Sequence, residues 1–224
     1  MSVSESFADR LAAVHARIAA ATARAGRAPG SVRLLAVSKR HPPEAIRAAH
    51  AAGQRDFGEN YAQELRDKAK LLADLPDLRW HLIGPLQANK AKYVAAAASW
   101  FHALDDAGAA AELHRRLGDR ALDCLVNVNV AGEDTKHGVA PEALAGLLAA
   151  ARGWPRLRIV GLMTLPPWGD PEAARPHFRA LRTLADRHGL AERSMGTTDD
   201  FEVAIEEGAT WVRVGTSIFG PRPG

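Results

Sequence analysis

The sequence predicts a (β/α)8 barrel of the TIM type, preceded by one extra N-terminal helix. Three observations predict it. Short β-branched or aromatic runs alternate with longer stretches of helical patterning, the short runs number eight, and the first strand-to-helix turn lacks a glycine fingerprint. Alternation implies a parallel sheet with right-handed crossovers. An open doubly wound sheet uses fewer strands and a glycine-rich first turn, whereas this turn reads Ser-Lys-Arg-His-Pro-Pro. No linker or low-complexity segment divides the chain, so residues 1–224 are expected to form a single barrel domain.

The elements follow in order. In the alanine-rich segment 4–26, Phe7, Leu11, Val14 and Ile18 recur at helical spacing, which predicts the leading amphipathic helix. Gly26 and the Pro29-Gly30 pair end it. Strands are expected at 32–38, 55–58, 80–84, 100–104, 123–130, 158–163, 193–195 and 211–215, the fourth and seventh being short. Between them, helical patterning covers 43–52, 61–72, 89–97, 107–117, 141–151, 171–188 and 199–207.

Composition narrows the function classes. With 47% apolar and 25% charged residues, the chain can bury a real core. The net charge is +3, and its basic residues, mostly arginines, are scattered through helical segments without a Lys/Arg run, which argues against nucleic acid or anionic membranes as partners. No stretch of about 18 apolar residues is present to span a bilayer. The first residues carry acids early and lack a signal-peptide apolar stretch, so a cytoplasmic protein is expected. The single cysteine, Cys124, lies in the apolar run 122–130 and reads as a buried thiol. The nine histidines show no metal-binding spacing, so no metal site is expected.

Barrels of this kind place their active sites at the C-terminal ends of the strands. There the first strand ends in Lys39, the second in Gly58-Glu59-Asn60, the seventh in the segment 194–198 and the eighth in Arg213-Val214-Gly215-Thr216. By position Lys39 is a snorkelling lysine at a strand end. If partly desolvated, it loses basicity and becomes an amine nucleophile able to form a Schiff base. Thr198 or Asp199 reads as a helix N-cap. Gly196 also lets a backbone approach closely, and amides at a helix N-terminus bind phosphate. Gly215-Thr216 repeats the pattern after the eighth strand, and barrels often build a phosphate site from these two loops. Strand alternation puts Arg213 on the inner face with Trp211, and Val212 and Val214 on the outer one. Inside, it requires either an acid such as Glu59 or Glu202, or a bound cofactor. A lysine amine, a phosphate cradle and an inward arginine together describe a pyridoxal-phosphate pocket.

The motifs Leu35-Ala36-Val37-Ser38-Lys39, Phe57-Gly58-Glu59-Asn60-Tyr61, Gly161-Leu162-Met163-Thr164, Ser194-Met195-Gly196 and Val212-Arg213-Val214-Gly215-Thr216, together with the run 80–90, occur in one order over nearly the whole chain. They resemble the pyridoxal-phosphate homeostasis proteins, single-domain relatives of the alanine racemase barrel. The resemblance implies that Lys39 carries the cofactor as an aldimine, that Arg213 meets the pyridine nitrogen and that Asn60 lies beside the ring. It implies a phosphate held by Thr198, Gly215 and Thr216, with Ser194 and Met195 close by. The chain departs from the family at Thr197-Thr198, where Met-Ser is usual; Thr198 keeps the hydroxyl.

An arginine at the pyridine nitrogen keeps that nitrogen neutral and weakens the cofactor as an electron sink. A racemase also needs a second base, which in alanine racemase is a tyrosine from a domain missing here. Tyr61 reads as a helix-packing residue rather than that base, and Tyr93 is the only other tyrosine. The expected role is therefore a carrier or regulator of pyridoxal phosphate in vitamin B6 and amino-acid balance, monomeric, with pyridoxal-phosphate-dependent apo-enzymes as recipients. The alternatives are a weak amino-acid racemase and a cofactor-free Schiff-base aldolase. The loop 132–138 reads first as a mobile polar loop, and otherwise as a lid or as a second resting place for the cofactor that uses Lys136. His81 reads as a satisfied barrel histidine rather than an acid or base.

Overall fold

The computed structural model describes residues 6–133 and 137–221. Eight parallel strands close into a barrel in sequence order. After the leading helix α1 (Phe7–Arg24), they are β1 (Arg33–Val37), β2 (Asp56–Glu59), β3 (Arg79–Leu82), β4 (Trp100–Leu104), β5 (Leu122–Asn127), β6 (Leu157–Met163), β7 (Glu192–Ser194) and β8 (Trp211–Val214). Between them run α2 (Pro43–Ala51), α3 (Ala62–Leu71), α4 (Ala91–Ala97), α5 (Ala107–Arg116), α6 (Leu144–Ala151), α7 (Pro171–Arg187) and α8 (Phe201–Glu206). The alternation read in the sequence is the alternation found.

Strand alternation sorts the barrel residues into two layers. Leu34, Ala36, Phe57, Trp80, Leu82, Val212 and Val214 belong to the main core between strands and helices. Leu35, Val37, Ile83 and Trp211 form a second cluster inside the barrel. His81 and His102 are fully buried there, packed against Trp100 and Trp211, with the His81 and Trp211 ring centroids 5.1 Å apart. Cys124 is buried, as its apolar run predicts, and burial raises its thiol well above the ordinary range.

α1 begins at a capping box, in which the Asp9 amide donates to Ser6 Oγ at 3.1 Å and the Ser6 amide donates to Asp9 Oδ2 at 3.0 Å. It packs across α8, α2 and the short helix α9 (Thr216–Phe219). Arg17 Nε donates to Glu202 at 2.9 Å, and Arg27 donates to the Ile205 carbonyl at 2.8 Å.

Element ends shift by up to about three residues in places, the third strand ending at Leu82 rather than at 84, and three further differences bear on the site. The fifth strand ends at Asn127: the Val128 amide still donates to the Met163 carbonyl at 2.8 Å, but its bridge is an isolated one, to Val139. The N-cap of α8 is Asp200 rather than Thr198 or Asp199. Asp200 Oδ1 accepts from the Thr197 amide at 2.6 Å and from its hydroxyl at 3.0 Å, so a closed turn precedes the helix. Helix α9 was not anticipated; four residues are too few to show a period.

Gly161 illustrates how closely the strands pack. A Cβ built there would collide with the backbone carbonyl and side chain of Glu192 on β7. Gly161→Ala is expected to lower stability by about 2–4 kcal/mol, read as a shift of the urea unfolding midpoint.

Candidate functional site

A cavity of about 550 Å³ opens at the C-terminal ends of the strands. Lys39, Asn60, Thr198, Arg213, Gly215 and Thr216 all line it. The structure thus brings six of the eight sequence-predicted site residues together. Ser194 and Met195 are fully buried and lie outside the lining: Met195 is in the core, and Ser194 reaches the site through Arg213. On the opposite wall, Asn127, Asn129 and His137 line the cavity, and Trp168, 81% exposed, stands at its edge. Lys136 lies outside the described residues.

Lys39 follows the last residue of β1 by two positions and sits in an unusual turn. The next residue, Arg40, has φ +62°, a left-handed conformation rare for a side-chain-bearing residue. Five hydrogen bonds behind the turn hold it. Lys68 Nζ on α3 donates to the Ser38 carbonyl at 2.8 Å, to Glu59 Oε1 at 2.8 Å and to Glu64 Oε1 at 2.7 Å. Ser38 Oγ donates to Glu59 Oε1 at 2.6 Å, and the Arg40 amide donates to Glu64 Oε1 at 2.6 Å. Burial outweighs the pull of Lys68 and pushes the Glu59 carboxyl up to about 7. Glu59 therefore serves the turn and is not the partner of Arg213.

Arg213 projects into the barrel, as strand alternation predicts, and is 4% exposed. Neither acid considered from sequence meets it, since Glu202 pairs with Arg17. One terminal nitrogen donates to Ser194 Oγ at 2.7 Å and the other to the Thr164 carbonyl at 2.9 Å. Both acceptors are neutral. Burial lowers the guanidinium to about 10, against the opposing charge of Asp200. These bonds use two of its five N–H donors.

At the expected phosphate end, the loop after β7 departs from the sequence reading. The Asp200 and Phe201 amides at the start of α8 donate to the Thr197 carbonyl, at 3.2 and 2.9 Å. What faces the cavity from this loop is Thr197, Thr198 and Asp199. Thr197 is committed to Asp200 through its amide and hydroxyl. Gly196 makes the turn possible with φ +89°, where a Cβ would stand 2.6 Å from Ala204 Cβ and 2.8 Å from Phe201 Cα. After β8, the Thr216 and Ser217 amides precede the first backbone bond of α9, from Ile218 to Gly215. Gly215 and Thr216 thus open onto the cavity beside Thr198.

His81 is a satisfied barrel histidine, as expected, bonded to Asp56 and to His102. Tyr61 is 55% exposed and is absent from the cavity lining. No metal-binding cluster occurs among the described residues, and none of their helices is long and apolar enough to cross a membrane.

Residues 10–223 match the family model of the alanine racemase N-terminal domain. A pyridoxal phosphate homeostasis protein of Pseudomonas aeruginosa is 49% identical over 221 residues, covering 96% of each chain. One from Escherichia coli is 42% identical, covering 96% of this chain and 97% of its own. Among solved structures, PipY of Synechococcus elongatus with pyridoxal phosphate bound superposes with a TM-score of 0.82 at 38% identity, covering 96% of this chain and all of that one. An alanine racemase from Corynebacterium glutamicum shares the fold at a TM-score of 0.66 and 18% identity, and this chain covers 62% of its length.

The clamp behind Lys39 generates two expectations. Lys68→Met, which removes the buried ammonium that donates to Glu59, Glu64 and the Ser38 carbonyl, is expected to cost about 3 kcal/mol at pH 7.5 by urea unfolding. Glu59 titrates higher in the folded chain than when unfolded, so its contribution to stability is present below about pH 4.5 and is lost as pH rises through about 7. Glu59→Gln should accordingly flatten the decline of the unfolding midpoint between about pH 5 and 8.

Proposed function

The chain belongs to the alanine racemase N-terminal domain family and, within it, to the pyridoxal phosphate homeostasis proteins, and from that premise we propose that it binds pyridoxal 5′-phosphate in the barrel-mouth cavity and serves to hold and release it within the cell. The observation that carries this reading is Arg213: a buried guanidinium whose direct protein acceptors are neutral, lining the same cavity as Lys39. The donor set fits the group. Lys39 offers an amine for an aldehyde carbon, Arg213 a donor for a ring nitrogen, and Thr198, Gly215 and Thr216 hydroxyls and amides for a phosphate. Asn60, on the same wall, would flank the ring. Ser194 and Met195 would act from beneath, Ser194 by holding Arg213 and Met195 by packing.

When bound, the cofactor supplies a conjugated electron sink for reactions at an amino-acid α-carbon. The protein's own groups restrain that chemistry. Arg213 donates and does not accept, so it favours a neutral ring nitrogen. Tyr61, the candidate second base, lies away from the cavity. Holding and handing on the cofactor therefore suits these residues better than racemization. We take the chain to act as a monomer in the cytoplasm, since the groups proposed to hold the cofactor all come from one barrel, and to pass the cofactor to apo-enzymes that require it.

The test is the absorption spectrum of purified protein with added pyridoxal phosphate. Wild-type protein is expected to show a near-ultraviolet-to-visible band abolished by borohydride, with the reduced cofactor found by mass spectrometry on the peptide bearing Lys39. Lys39→Ala should lose both. A wild type that gains no band would overturn the reading.

A further inference from the structure

Beneath the cavity, a single line of hydrogen bonds crosses the barrel interior from its floor to Arg213. It starts at Asp56 on β2, which takes two bonds from Arg79, at 2.7 and 2.6 Å. Asp56 Oδ1 lies 2.9 Å from His81 Nε2, and His81 Nδ1 lies 3.0 Å from His102 Nε2. His102 Nδ1 lies 3.0 Å from Ser194 Oγ, which receives Arg213 at 2.7 Å. Five strands contribute one link each, and the imidazoles are fully buried.

The two ends dictate where every proton sits. A carboxylate only accepts and a guanidinium only donates. Asp56 is held ionised: burial would raise it, but its bonds to Arg79 and His81 and their charges bring it down to about 2. His81 must then carry its proton on Nε2, leaving Nδ1 to accept. His102 must donate from Nε2 to His81, which leaves its own Nδ1 to accept. Ser194 must donate to His102 and turn a lone pair toward Arg213. Burial lowers both imidazoles below the ordinary histidine range, which keeps them neutral as this pattern requires. Reversing the chain would turn the Ser194 proton toward Arg213, donor against donor.

We infer that Asp56, His81 and His102 are positioning residues for Arg213: their one-way chain keeps the Ser194 hydroxyl an acceptor and so fixes which guanidinium N–H groups face the cavity. This rests on the reading that Arg213 meets the ring nitrogen of a bound pyridine, and it deepens that reading. The ligand class selected is an aromatic ring with an unprotonated acceptor nitrogen. Asp56, itself paired with Arg79, sets the direction of the chain, while the carboxylate whose charge acts on Arg213 is Asp200. The direct side-chain acceptor of Arg213 is thus a neutral hydroxyl.

Two measurements test the inference, and the first needs no ligand. In ¹⁵N NMR of the full chain with labelled histidines, His81 and His102, assigned through His81→Gln and His102→Gln, are expected to be neutral Nε2–H tautomers between about pH 5 and 9. Finding either as the Nδ1–H tautomer, or charged, would overturn the chain as described. The second compares binding of pyridoxal phosphate with that of its 1-deaza analogue, in which the ring nitrogen is a C–H. Wild type should prefer the natural cofactor, and His102→Leu should erase about tenfold of that preference while leaving affinity for the analogue nearly unchanged. Equal weakening of both ligands would mark His102 as merely structural and sink the inference. A wild type that binds the two ligands equally would also sink it. Failure of the wild type to bind either would defeat the functional reading instead, and the tautomer measurement would still decide the chain.

Discussion

A guanidinium sealed inside a barrel has to be answered by acceptors, and the placement of Arg213 governs much of the architecture around it. Closing eight strands removes water from the lumen, so a charge there cannot rely on solvent. Ser194 and the Thr164 carbonyl supply the immediate acceptors from the ends of β7 and β6. Aromatic rings fill the rest: Trp100 lies parallel to His81, with 4° between the planes, and Trp211 meets His81 edge-on. Below the mouth, aromatic rings thus surround the polar thread that runs from Asp56 to Arg213. A charge held this way keeps its direction, because few alternative partners are within reach.

The lysine side of the cavity is organised by a different device. Lys39 itself occupies an ordinary place after an ordinary buried strand. What is unusual is the backbone that follows it, turned left-handed at Arg40 and tied to Glu64. Lys68 joins Glu59, Glu64 and the Ser38 carbonyl into one cluster behind the turn. The cluster draws on β2 and α3, so the turn that carries Lys39 is held by residues outside the cavity lining. Such strain persists only where the surroundings over-determine it.

The barrel was legible in the sequence because each of its units repeats the same signal. The alternation of Trp211, Val212, Arg213 and Val214 was enough to turn Arg213 inward, and strand ends were enough to place Lys39, Asn60, Thr198, Gly215 and Thr216 at one mouth. Side-chain partners across elements were not legible. Glu59 is a plausible acid for Arg213 by sequence, yet its strand parity turns it outward toward Lys68, where only the packed helix reveals the pair. His102 hides in the apolar run of β4; a polar residue there was the available signal, and it was legible only once the inner face of β4 was known. His137 depended on the path of a loop. The partner of Thr197 was equally hidden, being Asp200, three residues on.

The packing of α1 on α8 and α9 bears on how the chain reaches this state. Arg17 and Glu202 are 185 residues apart in sequence, and β1 pairs with β8 along its length. A polypeptide emerging from the ribosome therefore presents its first helix and strand long before their partners exist. Early folding has to proceed through adjacent units, with the lumen open at the missing seam and the inner arginine not yet synthesised. Arrival of the last units then closes the ring, shuts out water and brings the two halves of the mouth together in one late, entropically costly step. Assembly of the cavity and completion of the fold are in this sense the same event.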